Sequence, residues 1–454
     1  MKKQIKLPQQ YIKNMQCLLK DNMQNYLDAL KQPPVQGLRV NTTKADDKIL
    51  SQFNIISRVE YCKNGYIVNN QKIGKHPYHI AGLVYMQEPS SMMPVSASGL
   101  SEEPDKNLAV LDLCAAPGGK SGQIAEYLNG QGILVSNEID SKRAKILHGN
   151  IVRMGYSNVI VTNESPERLS EHLQQKFDYI FVDAPCGGEG MFRKDPDTIS
   201  EWKPERLLSN AKRQKDILFY ANKMLKPNGK LIYSTCTFSV EEDENVVDWF
   251  LDNYNYSLVM PPKSVIDNST YLTHVECRRF YPHLSKGEGQ FVCVMKKPEE
   301  ELVNERTFKD SKLGNSEYKI VNKFILDNFN IPFALNYIKI GDYIYLVNQK
   351  TQNMLKYMQK ICKISSGVIV GSIEKDRLVP HINMFSAYGK YAKQKLNFDV
   401  NNALLFKYLH GEQLENTYSL INGYVSICVD GFAFAGVKVT GNALKNLYPK
   451  GLRI

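Results

Sequence analysis

Between residues 106 and 297 the chain alternates short apolar runs with segments of helical periodicity. The apolar runs are LAVLDL, GILVSNEI, NVIVT, FDYIFVD and KLIYSTC, and each is typical of a strand buried on both faces. The longest helical segment covers about 204–225, and the KPNG that follows is predicted to end it. Alternating strands and helices predict a doubly wound, Rossmann-like α/β fold with a mostly parallel sheet. Two further strands, YSLVM and GQFVCVM, bring that sheet to seven.

Smaller domains are predicted on both sides of this region. Residues 1–105 combine a helical stretch with short strands, which indicates a small N-terminal α+β domain. The central domain is predicted to cover 106–297, and the charged segment 298–312 is typical of a linker. Beyond it we expect two small modules, 313–390 and 391–454, the first of which is α+β.

Composition and charge limit the class of protein. A chain of 454 residues with 43% apolar residues can form two or three domains with real cores. It has no run of 18 uncharged apolar residues and no apolar signal region at its start, so we expect a cytoplasmic protein without a membrane span. Residues 301–454 hold 20 Lys/Arg and 12 Asp/Glu, most of the net charge of +10. This basic excess suggests a polyanion partner, although a solvated lysine-rich surface has the same composition.

The turn after the first predicted strand suggests a nucleoside cofactor. It reads CAAPGGK, residues 114–120, and its small residues let a ligand approach the backbone. It matches neither the phosphate loop G-x-x-x-x-G-K-[ST] nor the dinucleotide motif G-x-G-x-x-G. Glu138 ends the next strand, where a carboxylate can accept hydrogen bonds from both ribose hydroxyls. This combination suits S-adenosylmethionine; the alternative is an ordinary glycine-rich turn followed by a capping acid.

Two cysteines follow two other strands directly. Cys186 comes after FVDAP, and Cys236 ends LIYSTC. A disulfide, a metal site, two catalytic thiols and two buried packing residues are all compatible with this placement. The nine cysteines are an odd number without a C-x-x-C pair, which argues against a disulfide framework and a zinc ribbon. Cys293 and Cys428 lie within strand-like runs and fit the packing role better than Cys186 and Cys236 do.

Two thiols and an acid beside a methyl donor match the chemistry of pyrimidine methylation. Carbon 5 of cytosine or uracil is a poor nucleophile until a thiolate adds to carbon 6. That thiolate needs activation by positive charge or a nearby base. The proton on carbon 5 must then leave before the thiol is eliminated, and a second polar group helps that step.

Four longer motifs connect these features to a known family. LDLCAAPGGK, VDAPCGGEGMFRKDP, YSTCTFSVEEDENVV and YPHLSKGEGQF together resemble the Sun/RsmF-type RNA (cytosine-5)-methyltransferases. The resemblance extends upstream through GLRVNTTK and downstream to the terminal GLRI, so it covers nearly the whole chain. EGMFRKDP and the basic C-terminal extension resemble the RsmF-type branch, which modifies ribosomal RNA. The resemblance also implies that residues 391–454 form a PUA-like, RNA-binding domain, where the alternative is a structural cap.

The resemblance implies a role for each matching residue. Cys236 is the nucleophile, Cys186 aids elimination, and Asp183 hydrogen-bonds the polar edge of the cytosine near the methyl donor. Lys120 contacts the cofactor or the base. Arg143 neutralises Glu138 or the methionine carboxylate, unless it is a solvent-facing helix arginine. The cofactor is held by the loop and two carboxylates: Cys114, Ala115, Ala116, Pro117, Gly118, Gly119 and Lys120, with Glu138 and Asp183.

The sequence departs from the family pattern after the third strand. Many relatives have an aspartate there for the adenine amine, whereas this chain has Ser165 at about that place, preceded by Asn163 and Glu164. Three basic or aromatic segments, RVN (39–41), FRKDP (192–196) and RRFYPH (278–283), are predicted as loops that grip RNA phosphates or a splayed base. His76 and His79 have no third ligand nearby, so we expect no metal.

The sequence therefore favours an S-adenosylmethionine-dependent enzyme that forms 5-methylcytosine in RNA, specifically small-subunit ribosomal RNA, and acts as a monomer. One alternative keeps the chemistry and takes transfer RNA, or even DNA, as substrate. In DNA cytosine enzymes the nucleophile lies in the Pro-Cys motif, so Thr-Cys-Thr argues against DNA. The other alternative is a non-catalytic RNA-binding factor for ribosome assembly. Intact Cys236, Cys186, Asp183 and Lys120 argue against it.

Overall fold

The computed structural model describes residues 6–69, 72–301, 313–334 and 336–454. The N-terminal part is a four-stranded sheet, in the order β2-β3-β1-β4, with short helices around it. The predicted helical stretch near the start is two helices, because the chain breaks at Lys20, whose φ is +47°. Its elements are α1 (Gln9–Leu19), α2 (Met23–Leu30), β1 (Gln36–Val40), β2 (Ile55–Val59), β3 (Cys62–Val68), α3 (Pro77–Ile80), β4 (Val84–Met86) and α4 (Met93–Ala97).

The central part contains all seven predicted strands. Its elements are β5 (Ala109–Asp112), α5 (Gly119–Leu128), β6 (Ile133–Asn137), α6 (Ser141–Met154), β7 (Val159–Thr162), α7 (Pro166–His172), β8 (Phe177–Asp183), α8 (Asp197–Glu201), α9 (Pro204–Met224), β9 (Leu225–Thr235), α10 (Glu244–Asn253), β10 (Ser257–Leu258), α11 (Lys263–Ile266), β11 (Arg278–Phe280) and β12 (Gln290–Lys296). KPNG, expected to end the long helix, instead belongs to β9. The helix stops at Met224, and Leu225 already pairs with Phe177 of β8.

The C-terminal part forms two more sheets, in the orders β13-β14-β16-β17 and β18-β20-β21-β22-β19. Most of the predicted linker, 302–312, lies outside the described residues. The elements are α12 (Asn315–Asn328), β13 (Asn336–Ile340), β14 (Tyr343–Val347), α13 (Gln349–Tyr357), β15 (Lys363–Ser366), β16 (Val368–Glu374), β17 (Arg377–Pro380), α14 (Ile382–Tyr388), β18 (Lys395–Phe398), α15 (Ala403–Leu409), β19 (Leu414–Glu415), β20 (Gly423–Val429), β21 (Phe432–Thr440) and β22 (Ala443–Asn446).

The central sheet has nine strands, in the order β10-β12-β9-β8-β5-β6-β7-β15, with β11 paired to β12. The five strands from β9 to β7 are parallel, and the flanking strands are antiparallel. Numbered by the seven predicted strands, the order is 3-2-1-4-5-7-6, which reverses beside β5. Ligands of doubly wound sheets bind at such a switch point, at the carboxyl ends of the strands. The doubly wound prediction is therefore confirmed, and β11 and β15 join the sheet in addition.

The cores of the flanking parts merge with one another and with the central part. One cluster joins Leu38 and Val84 of the N-terminal sheet to Phe398 and Val425 of the C-terminal sheet. Another adds Met354 and the neighbouring Met358 to the core of the central sheet. Strand β15 extends that sheet by pairing with β7. The apolar residues of each part are thus buried against another part, and this fixes their relative positions.

All four arginines in the segments predicted to grip RNA are buried. Arg39 is fully buried in β1, where it pairs with the buried Glu126 and donates from Nε to Gln87 Oε1 at 3.1 Å. Asn41 is also buried and donates from Nδ2 to two backbone carbonyls. The prediction for 39–41 is therefore wrong, because these side chains already have partners inside the protein.

The arginines of the two other segments predicted to bind RNA also have partners inside the protein. The predictions for these segments are therefore wrong for the same reason. Arg279 lies 3.0 Å from the Asp243 carboxylate and also pairs with Glu244. Arg193 donates from Nε to Glu288 Oε2 at 2.7 Å. Arg278 is buried as well, and only the Lys194–Pro196 part of FRKDP is exposed. These charges hold loops to the body of the protein and are not free for phosphates.

The buried Arg39–Glu126 pair generates a stability prediction. Arg39→Ala should lower the free energy of unfolding by about 3–5 kcal/mol, because it leaves the Glu126 carboxylate buried without its counter-charge. Chemical denaturation followed by circular dichroism measures this change. The matched control is Arg58→Ala, since Arg58 forms an exposed ion pair with Asp47 at 2.8 Å. The free energy of unfolding of that variant should fall by less than about 1 kcal/mol. Equal losses in both variants would show that the buried Arg39–Glu126 pair does not stabilise the fold in this way.

Candidate active site

The loop after β5 forms a close-fitting cradle. Asp112 ends the strand fully buried, and its Oδ2 accepts a hydrogen bond from Ser121 Oγ at 2.6 Å. The Ala116–Pro117 peptide is cis, and Gly118 has a φ of +110°. A Cβ on Gly118 would lie 3.0 Å from Leu147 Cδ1, so both conformation and space favour glycine there. Helix α5 then begins at Gly119, so the backbone amides of its first turn have no partner within the helix and can donate to a ligand.

Glu138 lies beside this loop, just after β6. It is 3% exposed, and its Oε1 accepts a hydrogen bond from the Asp140 amide at 3.0 Å. Arg143 connects it to the loop: Nη1 lies 3.4 Å from Glu138 Oε2, and Nη2 donates to the Ala116 carbonyl at 2.8 Å. The arginine is therefore not simply a solvent-facing helix residue. A carboxylate next to a glycine turn fits the ribose hydroxyls of a nucleoside, so the residues present suit the predicted cofactor.

The three residues after β7 all have partners in the protein. Asn163 donates from Nδ2 to the Glu138 carbonyl at 2.7 Å. Ser165 caps α7, since its Oγ accepts from the Arg168 amide at 3.2 Å. Glu164 accepts from the Cys362 amide at 2.9 Å, which ties this loop to the C-terminal part. Asn163 thus supports the position of Glu138, whereas Glu164 and Ser165 fix the chain between β7 and α7.

Asp183, at the end of β8, connects three strand ends and the first turn of α5. Its Oδ2 lies 2.8 Å from Lys120 Nζ. Its Oδ1 accepts from Ser234 Oγ at 2.8 Å and from Gln290 Nε2 at 3.1 Å. Burial lowers the pKa of Lys120, but the Asp183 carboxylate outweighs burial and raises that pKa above its usual value. The amine therefore carries a positive charge at the sheet edge.

The two thiols meet at the same edge. Cys186 Sγ and Cys236 Sγ are 3.3 Å apart, and the Cys236 amide also donates to Cys186 Sγ at 3.3 Å. The hydrogen bond with Cys236, together with burial, raises the pKa of the Cys186 thiol well above its usual range. The third cysteine of the site, Cys114, is also held as a thiol, because burial and the nearby Asp112 raise its pKa. All nine cysteines are free.

Two buried glutamates that the sequence analysis missed hold the cysteine loops in place. Glu242 accepts from the Gly187 amide at 3.0 Å and from Gln214 Nε2 at 2.8 Å, and burial raises its pKa to about 7. Glu189 accepts from the Phe238 amide at 2.8 Å and from Trp202 Nε1 at 2.7 Å. One carboxylate thus fixes the residue after Cys186, and the other connects the two loops. Both lie within the motifs EGMFRKDP and VEEDENVV, but the motifs do not reveal their partners.

The described part of the chain offers neither a metal-binding cluster nor a helix that could span a membrane. Within the described ranges, no three His, Cys, Asp or Glu side chains are grouped so that they could hold a metal ion. His76 instead accepts from the Tyr78 amide at its Nδ1. In the same part of the chain, no helix is long and apolar enough to cross a membrane.

The fold and the site define a class: methyltransferases with a doubly wound sheet that use S-adenosylmethionine as methyl donor. Three family models match separate parts of the chain. Residues 100–296 match 16S rRNA methyltransferase RsmB/F, residues 7–89 match the N-terminal domain of 16S rRNA methyltransferase RsmF, and residues 395–454 match the methyltransferase RsmF PUA domain. The chain belongs to the RsmF family of RNA methyltransferases, and the family prediction is confirmed.

Individual relatives agree with the family models. Ribosomal RNA small subunit methyltransferase F of Shewanella sp. (strain ANA-3) is 30% identical over 459 residues, covering 95% of this chain and 93% of its own. The protein of the same name from Vibrio vulnificus (strain YJ016) is 34% identical over 346 residues, 72% of each chain. Among solved structures, a methyltransferase homolog from Pyrococcus horikoshii is 29% identical with a TM-score of 0.54, and the match covers 61% of this chain and 91% of that one.

The buried Asp112 predicts how stability depends on pH. Burial raises its pKa from 3.8 to about 7 in the folded protein. Between these values the folded state binds more protons than the unfolded state, so the free energy of unfolding falls as pH rises from about 4 to 7 and then levels off. Asp112→Asn should reduce this fall, and Glu242 should account for part of what remains. Urea unfolding at pH 5 and pH 8 measures the difference.

The control for this prediction is Asp105→Asn, in the exposed loop before the same strand. It should leave the difference between pH 5 and pH 8 as in the unmodified protein. A fall that is equally steep in Asp112→Asn and in the unmodified protein would show that Asp112 does not titrate in this range.

Proposed function

We propose that the protein methylates carbon 5 of cytosine in small-subunit ribosomal RNA, through a covalent adduct between Cys236 and carbon 6. The observation that carries the proposal is the pair of sulfurs 3.3 Å apart, at the sheet edge where Lys120 and Asp183 also lie. When bound, S-adenosylmethionine supplies the methyl group. The proposed substrate is supported by relatives that carry the name ribosomal RNA small subunit methyltransferase F. The monomeric state and the cytoplasmic location stay predictions from the sequence.

For the cofactor, we assign the loop Cys114–Lys120 to the methionine and ribose and Glu138 to the ribose hydroxyls. The support is the amino end of α5, which begins at Gly119, and the buried Glu138 carboxylate beside this loop. Arg143 bridges Glu138 and the loop, so it positions both. Asp183 and Lys120 lie between this cradle and the thiols, where Asp183 can also accept a hydrogen bond from the cytosine amino group.

The environment of the two thiols favours Cys236 as the nucleophile. Two sulfurs in contact cannot both carry a negative charge at low cost. The raised pKa of Cys186 keeps it as the protonated member of the pair, so it can donate its S–H to a Cys236 thiolate. Lys120 adds positive charge at the same sheet edge. Cys186 is then the group left beside the ring after Cys236 has added.

The proposed reaction has two stages, addition of Cys236 to the ring and its elimination after methyl transfer. The Cys236 thiolate would form a bond to carbon 6, and the electron pair of the 5,6 double bond would pass to carbon 5. Carbon 5 would then bond to the methyl group as the methyl–sulfonium bond breaks, and the electron pair of that bond would stay on the departing sulfur as a neutral thioether. A base in contact with the ring then takes up the proton from carbon 5. We assign Cys186, which lies beside the ring, to assist this elimination stage. The electron pair released from the C–H bond restores the double bond, and the bond between carbon 6 and Cys236 breaks to return the thiolate.

The experiment that tests this function is methyl transfer from labelled cofactor to purified RNA, followed by bisulfite sequencing. We expect label in the small-subunit ribosomal RNA, at a cytosine. Label in transfer RNA would move the substrate and keep the chemistry. RNA binding without any transfer would instead favour an assembly factor.

Substitution of the two cysteines should separate their roles. Cys236→Ser should abolish both methylation and any covalent RNA adduct, since a hydroxyl adds poorly to carbon 6. Cys186→Ser should still form the adduct and release it slowly, so that a protein–RNA band accumulates in denaturing gels. Cys428→Ser is the matched control, since that buried cysteine lies in the C-terminal sheet, and it should methylate normally.

The opposite pattern would exchange the two roles. An adduct trapped in Cys236→Ser and lost in Cys186→Ser would make Cys186 the nucleophile. Activity without any adduct in both variants would disprove the covalent mechanism and leave the thiols as packing residues.

Glu138→Ala tests the cofactor cradle. The variant should bind S-adenosylmethionine more weakly by about 1–3 kcal/mol, the range for hydrogen bonds to a charged group. RNA affinity should change little, because Glu138 lies in the cofactor cradle. Calorimetry measures the first quantity and fluorescence anisotropy the second. Glu102→Ala, in an exposed loop, is the control and should leave both constants unchanged; an unchanged cofactor affinity in Glu138→Ala would remove Glu138 from the site.

A further inference from the structure

A cavity of about 410 Å³ lies at one end of the central sheet, and the cysteines lie at the opposite end. Its walls include residues 129–131, which precede β6, and 157–158, which precede β7. These are the amino ends of the parallel strands, whereas Cys186 and Cys236 follow the carboxyl ends. Its volume lies within the range of small-ligand sites. The cavity is therefore separate from the candidate active site.

All three parts of the chain contribute to this cavity, and the C-terminal part does so from both of its sheets. Thr43 and Lys44 come from the N-terminal part, and 386–391 from α14 and the turn after it. Residues 431–433 come from the β20–β21 hairpin of the PUA-like sheet. The cavity thus exists only because the flanking domains pack on the central one, and we call it the junction cavity.

The junction cavity has positive charge without balancing acids. Lys44 and Lys390 line it, and Arg153 lies close enough to Lys44 to lower the pKa of that amine. Lys44 donates from Nζ to the Ala81 carbonyl at 2.7 Å, and Arg153 donates to the His79 carbonyl and Asn150 Oδ1. In the described part of the chain, none of the three cations forms an ion pair with a carboxylate. Burial, and then the Arg153 charge, lowers the pKa of Lys44 to about 7, a cost that a bound anion would relieve.

An aromatic platform lies beside these cations. The ring centroids of Phe333, Tyr388 and Tyr391 are 5.7–6.3 Å apart, and Phe333 is 44% exposed. Lys390 Nζ lies 5.3 Å from the centroid of the Tyr391 ring. Aromatic faces next to a cation are the recurrent platform for unpaired nucleobases, since every base has a face that stacks.

A buried amide completes the set of ligand-binding groups. Asn158 lines the cavity and is 2% exposed, and its Nδ2 has no hydrogen-bond partner among the described residues. A buried donor left without a partner costs free energy, and a ligand with acceptor oxygens or ring nitrogens would satisfy it.

We propose that the junction cavity binds one nucleotide of single-stranded RNA, with its base on the Phe333–Tyr391 platform and a phosphate between Lys44 and Lys390. The choice of RNA rests on the proposed function, and the binding itself does not require cytosine methylation. Because the cavity faces away from the cysteines, the nucleotide it binds is not the one that is methylated. A substrate RNA would reach around the protein and gain affinity at a second point.

Binding measurements on the full chain test this proposal. A fluorescent single-stranded oligoribonucleotide of mixed sequence is titrated against the unmodified protein and the variants Tyr391→Ala and Lys390→Glu. Each variant should bind about tenfold more weakly, the scale of losing one stacked base or one phosphate contact. In Lys390→Glu the slope of log affinity against log salt should also fall by about 0.7, the value for one phosphate of a single strand. Calorimetry should show unchanged binding of S-adenosylmethionine, which excludes general misfolding.

The matched control is Lys319→Glu, an exposed lysine on α12 with the same change of charge. It should retain RNA affinity within twofold. Affinities and salt slopes that are equal in Lys390→Glu, Lys319→Glu and the unmodified protein would overturn the proposal.

A second arm distinguishes RNA from a free nucleotide. Adenosine monophosphate and inorganic phosphate are titrated by calorimetry against the unmodified protein and Lys390→Glu. Tight binding of the mononucleotide that Lys390→Glu abolishes, with RNA affinity unaffected, would replace RNA by a free nucleotide. The methyl-transfer assay remains independent: loss of RNA affinity in the variants supports the junction cavity even if no cytosine is methylated, and methylation with unaltered affinities supports only the proposed function.

Discussion

The Asp183 carboxylate ties together three strand ends and the start of α5, on which the candidate active site is built. It pairs with Lys120 of α5 and accepts hydrogen bonds from Ser234 of β9 and Gln290 of β12. The parallel strands bring these ends to one edge, but backbone pairing does not orient the side chains there. A single carboxylate with three partners does, and it leaves the thiol loops and the cofactor cradle on either side of it.

Other buried charged residues also hold the loops around the site in place. Glu242 and Glu189 hold the loops that carry Cys186 and Cys236 through backbone amides. Arg279 and Arg193 anchor the loops next to them by ion pairs with buried acids. Such groups are costly to bury and cost more when a partner is lost, so each loop has essentially one well-satisfied position. The rigidity that covalent chemistry needs therefore comes from polar contacts as much as from the apolar core.

The flanking domains are structural parts of the enzyme as well as proposed RNA-binding units. The N-terminal and C-terminal sheets share one apolar cluster, and β15 adds a strand to the central sheet. The same packing creates the junction cavity on the side away from the cysteines. In this arrangement one end of the central sheet can bind RNA, and the opposite end can carry out methyl transfer.

The sequence by itself determined the central sheet and the residues of its carboxyl edge. Five apolar runs separated by helical segments leave little choice of fold class, and a cysteine directly after a strand must lie at that strand's end. Only the tertiary structure decided which residues these side chains contact. Lys120 and Asp183 are 63 residues apart, and Glu164 meets Cys362 across 198 residues. Arg39 of RVN and Arg279 of RRFYPH look like surface charges in sequence, because their balancing acids, Glu126, Asp243 and Glu244, lie far away along the chain or on another element. Strand β15 and the junction cavity escaped prediction for the same reason: periodicity reports how a segment is buried, and burial alone does not say which distant segment does the burying.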